Sequence, residues 1–221
     1  MSLDTGDDLE DGAWVKILDL VEDYSFGSLF RIIRATLRYR RFDGHMSEEI
    51  TRINFERGDS VGVLLYEPDE DVVVLTRQFR YPVYTSIDPE IVKEGGSKQA
   101  WLLEVVAGII DPGHSTVEIA SKELLEEAGY VVQGGYRPIA TIYPSPGVTS
   151  ERISLFLGLV KHKDQLIAGG GLTAEGEDIQ VESLSFQESM MMIARGEISD
   201  AKTIIALQHL ALLKSRGMEF E

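Results

Sequence analysis

Alternating apolar and polar positions predict β-strands in the first quarter of the chain. Short strand-like runs fill residues 13–57, and turn signals at Gly27 and at the pair 43–44 separate them. We interpret this segment as a small sheet of three antiparallel strands. A sheet of this size buries little apolar surface alone, so we expect it to pack on the main domain or on a partner chain. Residues 1–12 are acidic, and we expect a flexible N-terminus there.

Strand and helix patterns are mixed after this point, which predicts one main α+β domain over residues 58–215. One helix is expected at about 116–128, and two amphipathic helices are expected at 186–195 and 200–213. Residues 85–100 contain proline and two adjacent glycines, so we interpret them as a loop.

The segment 108–130 has the pattern of a loop, a helix and a stop. Ser115 is followed three residues later by Glu118, which is the spacing of a capping box. Gly129 stands where a helix C-terminal stop is expected. These signals set the bounds of the predicted helix at about 116–128.

Three carboxylates share one face of this helix at 100° per residue: Glu123, Glu126 and Glu127. Three apolar residues occupy the opposite face, toward the core: Leu124, Leu125 and Ala128. Like charges at these spacings cost about 0.2–0.5 kcal/mol per pair on a helix. A hard divalent cation with oxygen ligands would offset that cost, whereas in an isolated motif the same pattern is also typical of a solvated face.

The segment resembles the box of the Nudix hydrolases, which cleave nucleoside diphosphates linked to another moiety. That box reads Gly, five residues, Glu, seven residues, Arg-Glu, an aliphatic residue, any residue, Glu-Glu, any residue, Gly, and an aliphatic or aromatic residue. Seven positions match: Gly108, Glu123, Leu124, Glu126, Glu127, Gly129 and Tyr130. Two positions depart, with His114 in place of the first Glu and Lys122 in place of Arg. The departures leave the level of activity open more than its type.

Outside the box the resemblance covers most of the chain and is to the ADP-ribose pyrophosphatase branch. The segments that carry it are 46–49, 55–58, 78–80, 101–108, 145–152, 175–179, 196–198 and 202–203. The resemblance implies a Nudix fold, in which a mixed β-sheet is sandwiched by helices. It also implies a homodimer in which two subunits exchange a small N-terminal antiparallel sheet.

The resemblance further implies a metal site and a catalytic base. Mg²⁺, with Mn²⁺ possible, would be held by four residues: the Ala107 carbonyl, Glu123, Glu127 and Glu177. Glu175 would act as the base, with Glu123 and Glu126 as further catalytic residues on the helix. Glu175 and Glu177 lie in a glycine-rich loop, 169–178, and either could be the base. The same loop read by itself is also consistent with an exposed acidic loop.

Four residues are implied to bind substrate: Arg80 on the diphosphate, Glu104 on the site wall, Arg52 and Glu151. Each has a plainer interpretation as a solvated strand end, a surface ion pair or an ordinary strand residue. Candidates for stacking on the base or contacting the ribose are Phe30, Arg31, Arg52 and Tyr84. The resemblance therefore predicts hydrolysis of ADP-ribose to AMP and ribose 5-phosphate. GDP-mannose and UDP-glucose are alternative substrates, and a catalytically weakened metabolite-binding sensor is an alternative of another class.

Charge and composition sharpen this expectation. The 221 residues contain 37 acidic and 21 basic side chains, a formal net charge of −16, so binding to nucleic-acid phosphates is not expected. A diphosphate would be repelled at long range, which also points to bound metal. The chain has no cysteine, so metal ligands must be oxygen or nitrogen. No apolar run approaches the roughly 18 residues of a membrane span, and we expect a cytoplasmic protein.

Overall fold

The computed structural model describes residues 13–27 and 30–217. They fall into two compact units: residues 13–58 with 145–151, and residues 59–144 with 152–217. The acidic segment 1–12, predicted to be flexible, lies outside the described residues. Among the described helices, none has both the length and the apolar character needed to cross a membrane.

The first unit contains a three-stranded antiparallel sheet, as the alternation pattern predicts. Its strands, in spatial order, are β1 (Val15–Phe26), β2 (Phe30–Tyr39) and β3 (Ile50–Glu56). Within the described part of the chain, β1 pairs only with β2. Several of its large apolar side chains are exposed: Val15, Ile17, Leu18, Leu20, Tyr24 and Phe26. A long apolar edge strand of this kind is a template for pairing with another chain.

The second unit is built on a mixed sheet of seven strands. These are β4 (Ser60–Glu67), β5 (Val72–Phe79), β6 (Trp101–Glu104), β7 (Val106–Ile109), β8 (Tyr136–Ile142), β9 (Ile153–Leu159) and β10 (Gln180–Ser185). The order is β10, β5, β4, β9, β8, with β6 beside β5 and β7 beside β4. Strands β4 and β9 are parallel, and the other pairs are antiparallel.

The α-helices of the described residues are α1 (Tyr81–Ser86), α2 (Pro89–Lys93), α3 (Thr116–Glu123), α4 (Phe186–Ala194) and α5 (Ala201–Ser215). The prediction of a loop over residues 85–100 is wrong, because α2 and a 3₁₀ turn at Gly96–Ala100 occupy most of it. Asp88 caps α2 by accepting a hydrogen bond from the amide of Glu90 at 2.8 Å. Proline in the first turn of a helix favours its start, so here it does not signal a loop.

Helices cover both faces of the sheet, so β4 is buried along its whole length. Alternate side chains of a strand point to opposite faces. Leu64 and Tyr66 pack in the cluster that includes α5, whereas Val63 and Leu65 pack in the cluster that includes α3. Each fully buried leucine contributes about 1.5–3 kcal/mol. The predicted α+β class, with a mixed sheet between helices, is confirmed, and α3 lies against β4 and β7.

Candidate active site

Helix α3 begins with the capping box that the sequence predicts. The Ser115 hydroxyl accepts a hydrogen bond from the Glu118 amide at 3.3 Å, and the Glu118 carboxylate accepts one from the Ser115 amide at 2.7 Å. A cap of this kind stabilises a helix by about 1 kcal/mol. It fixes the start of the helix that carries the clustered glutamates.

The same helix does not continue in regular α form to residue 128. Leu124–Ala128 form a π-helical turn, and Gly129, with φ of +78°, is the predicted C-terminal stop. A π turn holds more residues than an α turn and is frequent at functional sites. The face calculated for a regular helix is therefore only partly correct: Glu127 is buried at 4% exposure, whereas Leu125, predicted to face the core, is 37% exposed.

Glu127 is the most buried of the three helix carboxylates. One of its oxygens accepts a long hydrogen bond of 3.4 Å from the Ala107 amide. Burial is the main cause that raises the pKa of Glu127 to about 8, and the negative charges of Glu123 and Glu177 add to it. A carboxylate in these surroundings is stabilised by a nearby cation.

Gly108 allows β7 to lie directly against Glu123. A Cβ atom at position 108 would be 2.4 Å from the Glu123 Cγ and Cδ atoms, closer than heavy atoms tolerate. A side chain at position 108 would therefore displace the Glu123 carboxylate from its present position. Lys122 lies 3.8 Å from a Glu123 oxygen and 3.7 Å from a Glu126 oxygen, so the lysine at the usual arginine position contacts both carboxylates.

A glycine loop is bonded to the C-terminal end of this helix. The Gly170 amide donates to the Glu127 carbonyl at 2.9 Å, and the Gly171 amide donates to the Glu126 carbonyl at 3.0 Å. Gly169 also has a positive φ, and a Cβ there would be 2.4 Å from the Glu127 carbonyl oxygen. The approach is close enough that only glycine fits at this position.

The two acidic residues of this loop differ in what the structure describes. The Glu177 carboxylate accepts a hydrogen bond from the Leu172 amide at 2.8 Å, and it lies near enough to Glu127 to raise the pKa of that residue. Glu175 ends a 3₁₀ turn at Thr173–Glu175, and its side chain lies outside the described part of the structure.

Arg80 and Glu104 form a two-pronged ion pair. The guanidinium of Arg80 donates to both Glu104 oxygens, at 2.7 and 3.1 Å. Glu104 is 2% exposed and also accepts a hydrogen bond from Lys202. Burial by itself would raise the pKa of Glu104, but Arg80 and Lys202 outweigh it and hold the pKa below its usual value. Glu104 is therefore a buried carboxylate between two cations, and its interpretation as half of a surface ion pair is wrong.

Lys202 and Asp200 were not among the residues predicted from the sequence. Lys202 is 9% exposed, and its Nζ lies 3.1 Å from an Asp200 oxygen. The sequence does contain a signal for this pair. Lys202 falls in the first turn of α5, where the helix dipole disfavours a cation, and it lies two residues after the N-cap, Asp200.

Two of the predicted substrate-binding residues lie in the first unit. Arg52 is exposed on β3, and Glu151 is buried and lies 3.5 Å from the guanidinium of Arg57. Phe30, a candidate for stacking on a base, is itself stacked on Phe55 with ring centroids 6.0 Å apart. Arg31, another candidate for contacting the base or ribose, lies on β2 of the same unit. The predicted metal, catalytic and diphosphate-binding residues are in the second unit: Arg80, Glu104, Ala107, Glu123, Glu126, Glu127, Glu175 and Glu177.

A cavity of about 310 Å³ adjoins Glu177 in the second unit. Phe79 and Trp101 line it, with ring centroids 4.9 Å apart. Tyr84, another candidate for stacking, contacts Phe79 at a centroid distance of 6.2 Å. The sequence does not predict that these three rings form one aromatic surface. Tyr84 reaches Phe79 only because α1 follows directly after β5.

The carboxylate oxygens are suitable donors for a hard divalent cation, although the side chains are not arranged around a common metal position. Among the side chains that the structure describes, which exclude that of Glu175, no group of three or more acidic or histidine residues is placed to hold a metal ion. Glu127 is nevertheless buried beside two other carboxylates, Glu123 and Glu177, which repel it. Oxygen donors of this type are the ones that Mg²⁺ and Mn²⁺ prefer.

Comparisons with known proteins show which family this chain resembles. The NUDIX domain profile matches residues 56–207. An ADP-ribose pyrophosphatase of Escherichia coli (strain K12) is 40% identical over 177 residues, which cover 79% of this chain and 78% of that protein. A GDP-mannose pyrophosphatase of Pectobacterium atrosepticum is 36% identical over 170 residues, or 77% and 81% of the two chains. The crystal structure of an ADP compounds hydrolase shares the fold, with a TM-score of 0.64, 19% identity and coverage of 93% and 97%.

Proposed function

Because this chain belongs to the Nudix family, we propose that it is a metal-dependent pyrophosphohydrolase of nucleoside diphosphate sugars, with ADP-ribose as the leading substrate. The products of that reaction would be AMP and ribose 5-phosphate. The observation that carries the proposal is the burial of Glu127 beside Glu123 and Glu177, with a pKa raised to about 8. Such repulsion is unfavourable in a protein unless a cation relieves it.

Members of this family generally need a divalent metal, and we propose Mg²⁺, or Mn²⁺ in its place. Glu123, Glu127 and Glu177 would hold it, together with the Ala107 carbonyl. When bound, divalent ions neutralise charge on a diphosphate and lower the pKa of a water molecule. This matters in a protein of net charge −16, which repels anionic substrates at long range.

The roles proposed for the other residues rest on the family resemblance and, for Arg80, on its contacts with Glu104. Glu175 would accept the proton of the attacking water, and Glu123 and Glu126 would be the further catalytic residues on the helix. Arg80 would bind the diphosphate, because a guanidinium fork matches two phosphate oxygens. Glu104 would hold that fork in place through its two hydrogen bonds.

We further propose that the protein acts as a homodimer and that the first unit contributes Arg52 and Glu151 to substrate binding. The exposed apolar side chains of β1 support an interface with a second copy, because an edge strand of this length otherwise invites uncontrolled pairing. The mass of the protein in solution, measured by light scattering, would test this part of the proposal.

A second substrate class deserves a test because of two observations. One relative, 36% identical over 77% of this chain, is a GDP-mannose pyrophosphatase. In addition, the ordered segment 81–100 brings Tyr84 against Phe79 beside the 310 Å³ cavity. Aromatic rings stack on the apolar faces of sugars and bases, so this surface could favour another sugar nucleotide.

The test is hydrolysis of a panel containing ADP-ribose, GDP-mannose and UDP-glucose, with Mg²⁺ and with chelator. Preference for ADP-ribose that disappears with chelator would support the proposal in full. Preference for another sugar nucleotide would support the proposed reaction type but change the assigned substrate. Tight binding without turnover of any of them would overturn it and favour a sensor, in which His114 and Lys122 mark lost catalysis.

A further inference from the structure

Four charged residues form a continuous row that runs from the buried side chains of Glu104 and Lys202 to Arg80, the proposed diphosphate-binding residue. Glu104 accepts hydrogen bonds from both Arg80 and Lys202, and Lys202 also lies 3.1 Å from Asp200. The exposure of their side chains is 38% for Arg80 but only 3% for Glu104 and 10% for Lys202. Arg80 is thus the member that can reach a ligand, and Lys202 lies behind it.

Lys202 is held firmly at its position by the start of α5. The Asp200 carboxylate accepts hydrogen bonds from the Thr203 amide at 3.0 Å and from the Thr203 hydroxyl at 2.6 Å. That hydroxyl in turn accepts a hydrogen bond from the Val105 amide at 2.8 Å, between β6 and β7. The lysine is therefore fixed relative to the strand that carries Glu104.

The charges of these four residues suggest what Lys202, the second cation beside Glu104, contributes. A Glu104 carboxylate paired with Arg80 alone would neutralise the guanidinium that must attract the diphosphate. Lys202 shares the Glu104 carboxylate with Arg80, and Asp200, which balances Lys202, acts on Arg80 less strongly than Glu104 does, so Arg80 keeps part of its positive field toward the ligand. Opposite charges in a poorly solvated site interact far more strongly than in water, so this division has a sizeable effect.

From this geometry we propose that Lys202 is a positioning residue for diphosphate recognition, acting through Glu104 on the orientation and net field of Arg80. The inference rests on the proposed function, in which Arg80 binds the diphosphate. Lys202 acts through Glu104 and Arg80 and does not contact the reacting atoms. Its effect should appear in substrate affinity and much less in the chemical step.

The first experiment compares Lys202→Met with the wild type in Mg²⁺. The probe is the α,β-methylene analogue of ADP-ribose, which cannot be hydrolysed, and its Kd is measured by titration calorimetry. We expect Kd and the KM for ADP-ribose to rise about tenfold, with kcat within about threefold, as for loss of one charge-assisted contact. Lys202→Arg should recover most of the affinity. The matched control is Lys161→Met, which removes an exposed ion pair with Asp69 and should leave Kd unchanged.

The second experiment asks whether the effect passes through Arg80. In an Arg80→Ala background, Lys202→Met should change Kd by less than about twofold, because coupled residues are not additive. An undiminished tenfold effect in that background would show direct action of Lys202 and overturn the inference. If Lys202→Met does not fold, as judged by thermal melting, Lys202→Gln replaces it in both experiments.

The proposed function and this inference fail in distinguishable ways. A wild-type protein that neither binds the analogue nor hydrolyses any sugar nucleotide would remove the proposed function. A wild type that does both, with Kd unchanged in Lys202→Met, would remove the role of Lys202 and leave the proposed function intact.

Discussion

Two groups of charged residues lie in the second unit and are built in opposite ways. The acidic group consists of Glu123, Glu127 and Glu177, and the paired group consists of Arg80, Glu104, Lys202 and Asp200. In the acidic group, burial and like charge together raise the pKa of Glu127 to about 8. In the paired group, Glu104 is at least as buried, but two cations hold its pKa below the usual value.

The contrast shows which of the two groups has balanced charges without a bound ligand or metal. The paired group balances two cations with two carboxylates, so it is organised before any ligand arrives. The acidic group contains repulsion that the Ala107 amide and the charge of Arg80 only partly offset, so it gains stability from a cation that comes from solution. Glu104 and Glu127 are similarly buried, but removing the charge of each should change the free energy of unfolding in opposite directions.

The largest expected effect is on turnover in the acidic group. Glu127→Gln keeps the shape of the side chain but removes a proposed metal ligand, so kcat in Mg²⁺ should fall by about 10²–10³-fold. Steady-state kinetics with ADP-ribose would measure it. Glu70→Gln, an exposed change elsewhere in the same unit, is the control and should retain wild-type kcat. Normal turnover in Glu127→Gln would sink the assignment of Glu127.

The next effect is on stability without metal, and here the two groups should differ in sign. In chelator at pH 7, Glu104→Gln should lower the free energy of unfolding by about 2–3 kcal/mol, because it leaves two cations without their shared partner. Glu127→Gln should raise that free energy by about 1 kcal/mol, since Glu127, with a pKa of about 8, must take up a proton on folding at pH 7 and glutamine need not. Urea denaturation would measure both. Destabilisation of similar size by the two variants would contradict the comparison.

The third effect is a pH dependence that belongs to the paired group. The pKa of Glu104 is lowered in the folded protein, so its stabilising contribution is complete above about pH 4.5, the usual value, and is lost as pH falls through the folded pKa. The stability difference between wild type and Glu104→Gln should be constant from pH 5.5 to 7, and below pH 4.5 it should shrink by about 1 kcal/mol per pH unit. Urea titrations at several pH values would test this. A constant difference down to pH 3.5 would count against the pairing.

The smallest effect concerns Lys122, at the edge of the acidic group. Its ammonium lies 3.8 Å from Glu123 and 3.7 Å from Glu126. Lys122→Arg offers a planar fork to the same two carboxylates, so kcat should rise, by no more than about threefold. Lys122→Gln is the comparison variant and should lower kcat. A fall of kcat in Lys122→Arg would mean that the lysine is already matched to its site.

Much of the acidic group could be predicted from the sequence because its signals are local. The capping spacing of Ser115 and Glu118, the stop at Gly129 and the periodicity of the glutamates all belong to one helix. The π turn at Leu124–Ala128 could not be predicted, since no residue in it has a strong preference for that form. As a result, the burial of Glu127 was missed.

The paired group could be predicted only in part because its partners are far apart in sequence. Arg80, Glu104 and Lys202 meet through β5, β6 and the start of α5, and only the complete sheet brings them together. The helices within residues 81–100 were missed for a different reason. Proline was interpreted as a breaker, although the Asp88 cap beside it was a usable helix-start signal.

The attachment of the glycine loop to the helix end has a consequence for how this enzyme can change. Because the amides of Gly170 and Gly171 are bonded to the carbonyls of Glu127 and Glu126, the loop starts from a fixed point on the acidic helix. Five residues separate Gly171 from Glu177, and this spacing limits how far the loop carboxylates can extend from the anchored glycines. Insertions after Glu177 leave this spacing unchanged, whereas a single residue inserted between Gly171 and Glu175 changes the reach of both loop glutamates.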